Sequence, residues 1–382
     1  MKQWFQHLRA VTSEVEQTFD TLRQRLKNHL QLDDDEIIIQ IYQAYGNDNV
    51  ICIRGRVMQD HVMQLSDRDT LWRNLLNTYQ RFETDEIPFA VLDAQFGDHT
   101  MQFVADDEGF FDIQLEIEDS SRDTHCDDFE VQLRLVSAPH YFKPQEDEIS
   151  TYVEILCPPS DAEYGVISDL DDTVIHSDVS SIINLAKNTF LQNAHTRLPF
   201  TGVAALYRAL QIGTRNSRNP IFYVSSSPWN LYDLLTDFLA LKKIPLGPLF
   251  LQDFGLNKGK WVTQAHSAHK LSAIKEIMSM YPNLPFVLIG DSTQHDAKIY
   301  YEIAIMYPTR IRAIYVRDVN TSATRQKMII DLAQSLKIEH DIPLILLKDS
   351  LQAAQHANEI GIILPEAIQE ITLEINGEIQ TG

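Results

Sequence analysis

Five short apolar runs, at 165–168, 221–224, 286–289, 311–316 and 344–347, alternate with segments of helical period along the second part of the chain. Short continuous apolar runs of this kind read as strands buried on both faces. Strands that alternate with helices form a parallel sheet covered on both sides, and any site then lies at the carboxyl ends of the strands. From residue 161 onward the chain is therefore expected to fold as an α/β unit.

Three of these runs lead directly into residues suited to phosphoryl chemistry. Gly165-Val-Ile-Ser-Asp169-Leu-Asp171-Asp172-Thr173 sets two carboxylates two residues apart just beyond a strand, where the chain turns and both can face one cleft. There Asp169 is a nucleophile for phosphorus, and Asp171 an acid that protonates the leaving oxygen and later activates water. Asp clusters also fill polar turns. A calcium loop is a further alternative, although Val174 stands where its glycine belongs and Ser180 where its bidentate glutamate belongs.

Ile221-Phe-Tyr-Val224 runs into Ser225-Ser226-Ser227-Pro228, with Pro228 expected to open the next helix. Ser225 would donate to a phosphoryl oxygen, and Ser226 and Thr173 are assigned to substrate binding; Ser226 and Ser227 serve equally well as helix caps. Lys270, expected to open an amphipathic helix, would neutralise the charge shared by phosphate and nucleophile, the alternative being a solvated surface lysine. Phe286-Val-Leu-Ile289 leads to Gly290-Asp291, with Asp296 five residues beyond Asp291. The expected metal set is Asp169, Asp171 through its carbonyl, Asp291 and Asp296, an oxygen set suited to Mg²⁺. The metal would offset repulsion between an anionic phosphate and an anionic nucleophile. Asp296 alternatively pairs with Lys270. His295 reads as a substrate contact or a proton shuttle, or else as a satisfied structural histidine.

The Asp-x-Asp-x-Thr pattern after a strand resembles the first motif of the haloacid-dehalogenase-like phosphohydrolases. More narrowly, residues from about 161 to 320 resemble the catalytic domain of the fungal actin-patch phosphatidate phosphatases and their bacterial relatives, a family related to the lipins. The resemblance rests on Gly165-Val-Ile-Ser-Asp-Leu-Asp-Asp-Thr-Val, Thr201-Gly-Val-Ala-Ala-Leu-Tyr-Arg-Ala-Leu and Tyr223-Val-Ser-Ser-Ser-Pro-Trp-Asn-Leu-Tyr. It rests also on Gly247-Pro-Leu-Phe-Leu, Gly290-Asp-Ser-Thr-Gln-His-Asp and Tyr307-Pro-Thr-Arg-Ile-Arg-Ala-Ile-Tyr-Val-Arg-Asp. It implies a haloacid-dehalogenase-like Rossmannoid parallel sheet and Mg²⁺-dependent hydrolysis of phosphatidate to diacylglycerol and phosphate. Two positions depart from the family pattern: Gln252 stands in place of an arginine, and Thr293 in place of a glycine beside the metal motif. The alternatives are a phosphatase of the same mechanism on a soluble phosphomonoester, or a non-catalytic phosphatidate-binding module. Retention of both Asp169 and Asp171 argues against the last.

The first part of the chain has a different rhythm. Trp4, Leu8, Val11, Val15, Phe19, Leu22, Leu26 and Leu30 form the stripe of an amphipathic helix within residues 1–35. Strict alternation in Phe111-Asp-Ile-Gln-Leu-Glu-Ile-Glu and Phe129-Glu-Val-Gln-Leu-Arg-Leu, with further strands at 37–42 and 50–57, predicts an antiparallel β-sandwich over 36–160, broken by a short helix at 71–79. The catalytic unit is expected over 161–350, followed by a C-terminal helix and a polar, mobile tail over 351–382.

A formal charge of −22 argues against nucleic acid as a partner. No run approaches the roughly 20 apolar residues of a membrane span, and the start lacks a signal-peptide core. Cys52, Cys126 and Cys157 form no zinc or redox pattern and suit a reducing cytosol, so a cytoplasmic protein is expected, with peripheral contact to a membrane as its route to lipid. Between Val179 and Pro220 there is no Asp or Glu, while Lys187, Arg197, Arg208, Arg215 and Arg218 all fall there. This segment reads as a basic cap over the phosphate site, with Arg215 and Arg218 contacting the anionic substrate; its apolar residues read equally as helix-docking contacts. Oligomeric state is left open by the sequence.

Overall fold

The computed structural model describes residues 36–60, 87–97, 99–117, 130–138, 149–170, 201–252, 262–292, 295–319 and 321–381. The helices expected within 1–35 and at 71–79, and most of the acid-free segment, lie outside the described residues. Among the described residues, seven strands come first: β1 (Glu36–Gly46), β2 (Val50–Asp60), β3 (Val91–Phe96), β4 (His99–Val104), β5 (Phe110–Glu116), β6 (Val131–Ser137) and β7 (Ser150–Val153). They form two antiparallel sheets, ordered β1-β2-β5 and β4-β3-β6-β7. Alternation sets their faces. In β5, Phe111, Ile113 and Leu115 are buried while Asp112, Gln114 and Glu116 are exposed. The buried set meets Leu92 and Ala94 of β3 and Leu133 of β6 in one core between the sheets. β7 is the last strand expected after the acidic linker at 146–148, whereas β3 and β4 escaped the sequence reading because their alternation is weak; β4 is exposed along nearly its whole length.

Six parallel strands follow: β8 (Gly165–Asp169), β9 (Ile221–Pro228), β10 (Leu249–Gln252), β11 (Phe286–Asp291), β12 (Ile311–Arg317) and β13 (Leu344–Leu347). Their order is β10-β9-β8-β11-β12-β13, which puts β8 between β9 and β11. The α-helices among the described residues are α1 (Val203–Ile212), α2 (Tyr232–Leu241), α3 (Val262–Met280), α4 (Asp296–Met306), α5 (Ala323–His340), α6 (Ser350–Glu359) and α7 (Pro365–Thr381). Side chains from successive strand positions enter two cores. Val166, Tyr223 and Val287 pack with α1, α2, α6 and α7, whereas Ile167, Phe222 and Leu288 pack with α3, α4 and α5. All five expected strands are present. A sixth strand, β10, was not among them.

Three expectations need correction. Pro228 does not open a helix: β9 continues through it in extended conformation, and a 3-10 turn, Trp229–Leu231, precedes α2. The tail beyond Pro365 is α7, which docks through Ile368, Ile371 and Ile375, a stripe at positions i, i+3 and i+7. It packs so closely on Gly202 that a Cβ there would lie 2.7 Å from Ile375. Glu374 of α7 also accepts from the Ala205 N–H (2.9 Å), satisfying a free amide at the start of α1. Finally, Cys157 is disulfide-bonded, with its partner outside the described residues, while Cys52 is free and buried. Linear spacing does not report such a pairing, which depends on spatial approach. No helix among the described residues is long and apolar enough to cross a membrane.

Candidate active site

The carboxyl ends of β8, β9 and β11 converge because these three strands are neighbours. Asp169 ends β8 and Asp291 ends β11, both fully buried, and the register pairs Asp169 with Val224, one residue before Ser225. Strand alternation turns Asp169 toward the face covered by α3 and α4. From α3, Lys270 Nζ donates to Asp169 Oδ1 (2.8 Å) and to Asp296 Oδ1 (2.7 Å). Lys270 lies in the middle of the helix, not at its start, and is 3% exposed; burial reverses the surface-lysine alternative.

Asp296 is the first residue of α4, and its Oδ2 accepts from the Asp291 N–H (3.2 Å). Gly290 permits that approach, since a Cβ there would lie 2.7 Å from Asp296 Oδ2 and 2.8 Å from Tyr300 Cε2. Tyr300 in turn donates to the Ile289 carbonyl (2.8 Å), tying α4 to β11. Asp169, Asp291 and Asp296 each offer an oxygen within 4.8 Å of the others, a buried set able to hold a metal ion.

Electrostatics follow from this packing. Burial pushes the Lys270 ammonium toward neutrality, but Asp169 and Asp296 outweigh it and raise its pKa above the usual lysine value. Burial, reinforced by Asp296 and Asp169, holds the Tyr300 phenol neutral. Ser168 Oγ donates to the Asp169 carbonyl (2.6 Å) and shares a 2.6 Å hydrogen bond with the Tyr207 hydroxyl of α1.

Other expected site residues separate into near, remote and undescribed. Ser225 is buried within β9, three residues before its end at Pro228, and its Oγ accepts from the Ser227 N–H (2.9 Å). Ser226 Oγ is buried without a hydrogen-bond partner among the described residues. His295 is exposed, precedes α4, and lines a hollow with Ser292, Lys298 and Arg325. Gln252 ends the edge strand β10 beside Pro228. Asp171, Thr173 and Thr293 lie outside the described residues.

Arg215 and Arg218 are not in the site. They occupy the turn between α1 and β9, where Glu163, two residues before β8, accepts from the Thr214 N–H (2.7 Å) and the Arg215 N–H (2.9 Å). That turn sits at the amino ends of the strands, opposite Asp169. Because α1 runs back along the sheet, residues after it are carried to the far end. The double variant Arg215→Glu/Arg218→Glu is therefore expected to keep kcat/KM on a soluble phosphomonoester within about twofold, as surface substitutions do. A tenfold loss in steady-state kinetics would contradict this placement.

The sequence reading gave no role to Arg317. It ends β12, is 8% exposed, is the register partner of Asp291, and donates to Ser350 Oγ (3.3 Å). Burial pulls its pKa down to about 10, opposed by Tyr207 and Asp349. Its position at a strand exit, like those of Asp169 and Asp291, was the available signal.

Residues 164–318 match the family model described as phosphatidate phosphatase APP1, catalytic domain. Phosphatidate phosphatase APP1 of Saccharomyces cerevisiae is 31% identical over 159 residues, covering 41% of this chain and 26% of that protein. An uncharacterized protein of Schizosaccharomyces pombe is 30% identical over 158 residues, covering 41% of this chain and 25% of that protein. This chain thus spans about a quarter of the length of these curated relatives. Among solved structures, a carbohydrate acetylesterase from Xanthomonas citri is 8% identical with a TM-score of 0.27, covering 80% of this chain and 75% of its own, a likeness too slight to carry any argument. The span that holds Asp169, Ser225, Lys270, Asp291 and Asp296 is the span similar to the catalytic domain of the phosphatidate phosphatase APP1 family.

Proposed function

We propose that this chain is a Mg²⁺-dependent phosphatidate phosphatase with a haloacid-dehalogenase-like Rossmannoid catalytic unit, yielding diacylglycerol and phosphate through an aspartyl-phosphate. The observation that carries the reading is Lys270 bridging Asp169 and Asp296 beside Asp291 at the strand exits, within the span that matches the family. Asp169 attacks phosphorus as the bond to the lipid oxygen breaks, and Asp171 protonates that oxygen. Asp171 then removes a proton from water, whose oxygen attacks phosphorus, releasing phosphate and restoring Asp169. Lys270 keeps Asp169 ionised and oriented, and Ser225 donates to a phosphoryl oxygen.

The residues fit a hard divalent ion. Three buried carboxylates face one ammonium, so the cluster carries excess negative charge on oxygen donors. Asp169 and Asp291 would hold Mg²⁺ with the Asp171 carbonyl, while Asp296, bonded to Lys270 and the Asp291 amide, orients the lysine. When bound, the ion offsets repulsion between phosphate and nucleophile.

A second reading, a soluble phosphomonoester as substrate, is favoured by one observation: the basic turn proposed to recruit lipid lies at the far end of the sheet. The deciding assay incubates the purified chain with phosphatidate in mixed micelles and with soluble phosphomonoesters, with chelator and with added Mg²⁺. Release from phosphatidate that is lost in chelator and restored by Mg²⁺ is expected. Turnover of soluble esters alone assigns the second reading, phosphatidate binding without turnover assigns a lipid-binding module, and full activity in excess chelator removes the metal from the mechanism.

A further inference from the structure

β1 reaches from the antiparallel sheets to the edge of the parallel one. β10 is the edge of the parallel sheet, and Gln43 of β1 donates its Nε2 to the Leu249 carbonyl (2.5 Å), so a side chain satisfies an edge carbonyl that a further strand would otherwise take. On either side of Gln43, two tyrosines enter the cores on opposite faces of that sheet. Tyr45 packs against Phe222 and Phe250 and donates its hydroxyl to Glu276. Tyr42, 3% exposed, joins the other core.

The surroundings of Tyr42 connect it to the candidate site. Its ring stacks on Trp229 (centroids 4.9 Å apart, 23° between planes) and lies 5.0 Å from Tyr232 and 6.1 Å from Phe110. Arg56 of β2 sits 4.4 Å over the Phe110 ring, closing the cluster from the antiparallel side. Trp229 follows Ser225-Ser226-Ser227-Pro228 without a break. That serine segment bulges from regular sheet geometry: Phe250 pairs with Val224 but Gln252 pairs with Pro228, so the register shifts across it. The bulged segment runs directly into Trp229, a buried indole stacked on a ring from the antiparallel unit.

We infer that Tyr42 is a positioning residue that holds the Ser225–Ser227 segment through Trp229, making the antiparallel unit part of the phosphate-binding apparatus. The kinetic consequence rests on the phosphatase reading; the structural consequence does not. The experiment compares full-length Tyr42→Leu, Tyr42→Phe and Gln43→Leu by amide hydrogen exchange and by kinetics on a soluble phosphomonoester, at a temperature where each is folded. Tyr42→Leu should raise exchange at residues 225–231 at least tenfold relative to the rest of the parallel sheet. It should also lower kcat/KM by about tenfold or more, the scale of loss from a misplaced contact.

Tyr42→Phe keeps the ring and should stay within about twofold of wild type, and Gln43→Leu should lower the melting midpoint with the same small kinetic change. Should Tyr42→Leu not fold, Tyr42→Met, a flexible side chain of similar reach, carries the same test. Unchanged exchange at 225–231, or equal kinetic losses in the Tyr42→Leu and Gln43→Leu proteins, would overturn the proposal. Raised exchange in a chain whose wild type hydrolyses no phosphomonoester would support the positioning role and remove the phosphatase reading.

Discussion

Asp169→Asn protein is expected to release no phosphate from any ester that the wild-type chain hydrolyses, while its melting midpoint stays within about 4 °C of wild type. The first half follows from chemistry. An amide is a poor nucleophile and a weaker ligand for a hard cation, and no other described carboxylate both ends β8 and contacts Lys270. The second half follows from the charge balance of the cluster. Asp169, Asp291 and Asp296 face a single ammonium, so replacing one acid relieves repulsion between the other two and the substituted position. Lys270 retains Asp296 at 2.7 Å, and the new amide oxygen still accepts from it. A net change of ~1 kcal/mol moves the midpoint by about 2–4 °C in a unit of this size. Loss of activity together with loss of fold would instead make Asp169 structural. Asp171→Asn, by comparison, should slow turnover about 10²–10⁴-fold through lost proton transfer.

Lys270→Ala is expected to be the most damaging substitution in the catalytic unit. It leaves Asp169 and Asp296, both fully buried, without their shared ammonium. Removing one partner of a buried ion pair typically costs about 3–5 kcal/mol, because the remaining charge has no compensation in a poorly solvated site. Activity should fall with it by about 10²–10³-fold, the scale of losing one electrostatic stabiliser of the transition state. Chemical denaturation checks the first effect, and phosphate release the second. Added Mg²⁺ should recover part of the lost stability, since an ion that binds only the folded cluster stabilises it by mass action, ~2.7 kcal/mol at a hundredfold excess over its Kd. A Lys270→Ala midpoint equal to wild type would mean that the two carboxylates do not depend on the lysine.

The contrast between these substitutions reflects what a linear reading can detect. Asp169 and Asp291 were visible because each ends an apolar run, and a strand exit is a local feature. Lys270 had no such mark. It is one lysine among helical residues, and its burial depends on α3 crossing the sheet beside β8. The acid-free segment misled for the same reason: composition counts Arg215 and Arg218 near the nucleophile strand, yet α1 carries them to the opposite end. The tail was misjudged on polarity, although Ile368, Ile371 and Ile375 already marked one face of a helix. The role of Tyr42 was invisible, because its partner Trp229 belongs to a different unit and the two are nearly two hundred positions apart.

By itself, then, the sequence determined the parallel sheet, most of its strands and the acids at their ends, because hydrophobic period and strand termini are short-range properties. Only the tertiary structure decided which of those groups meet. Lys270 and Asp169 are 101 positions apart, and their 2.8 Å contact exists because β8 lies between β9 and β11 with α3 packed over one face. Strand order and helix crossing are set by the joint packing of two cores, a property of the whole chain that no single segment carries.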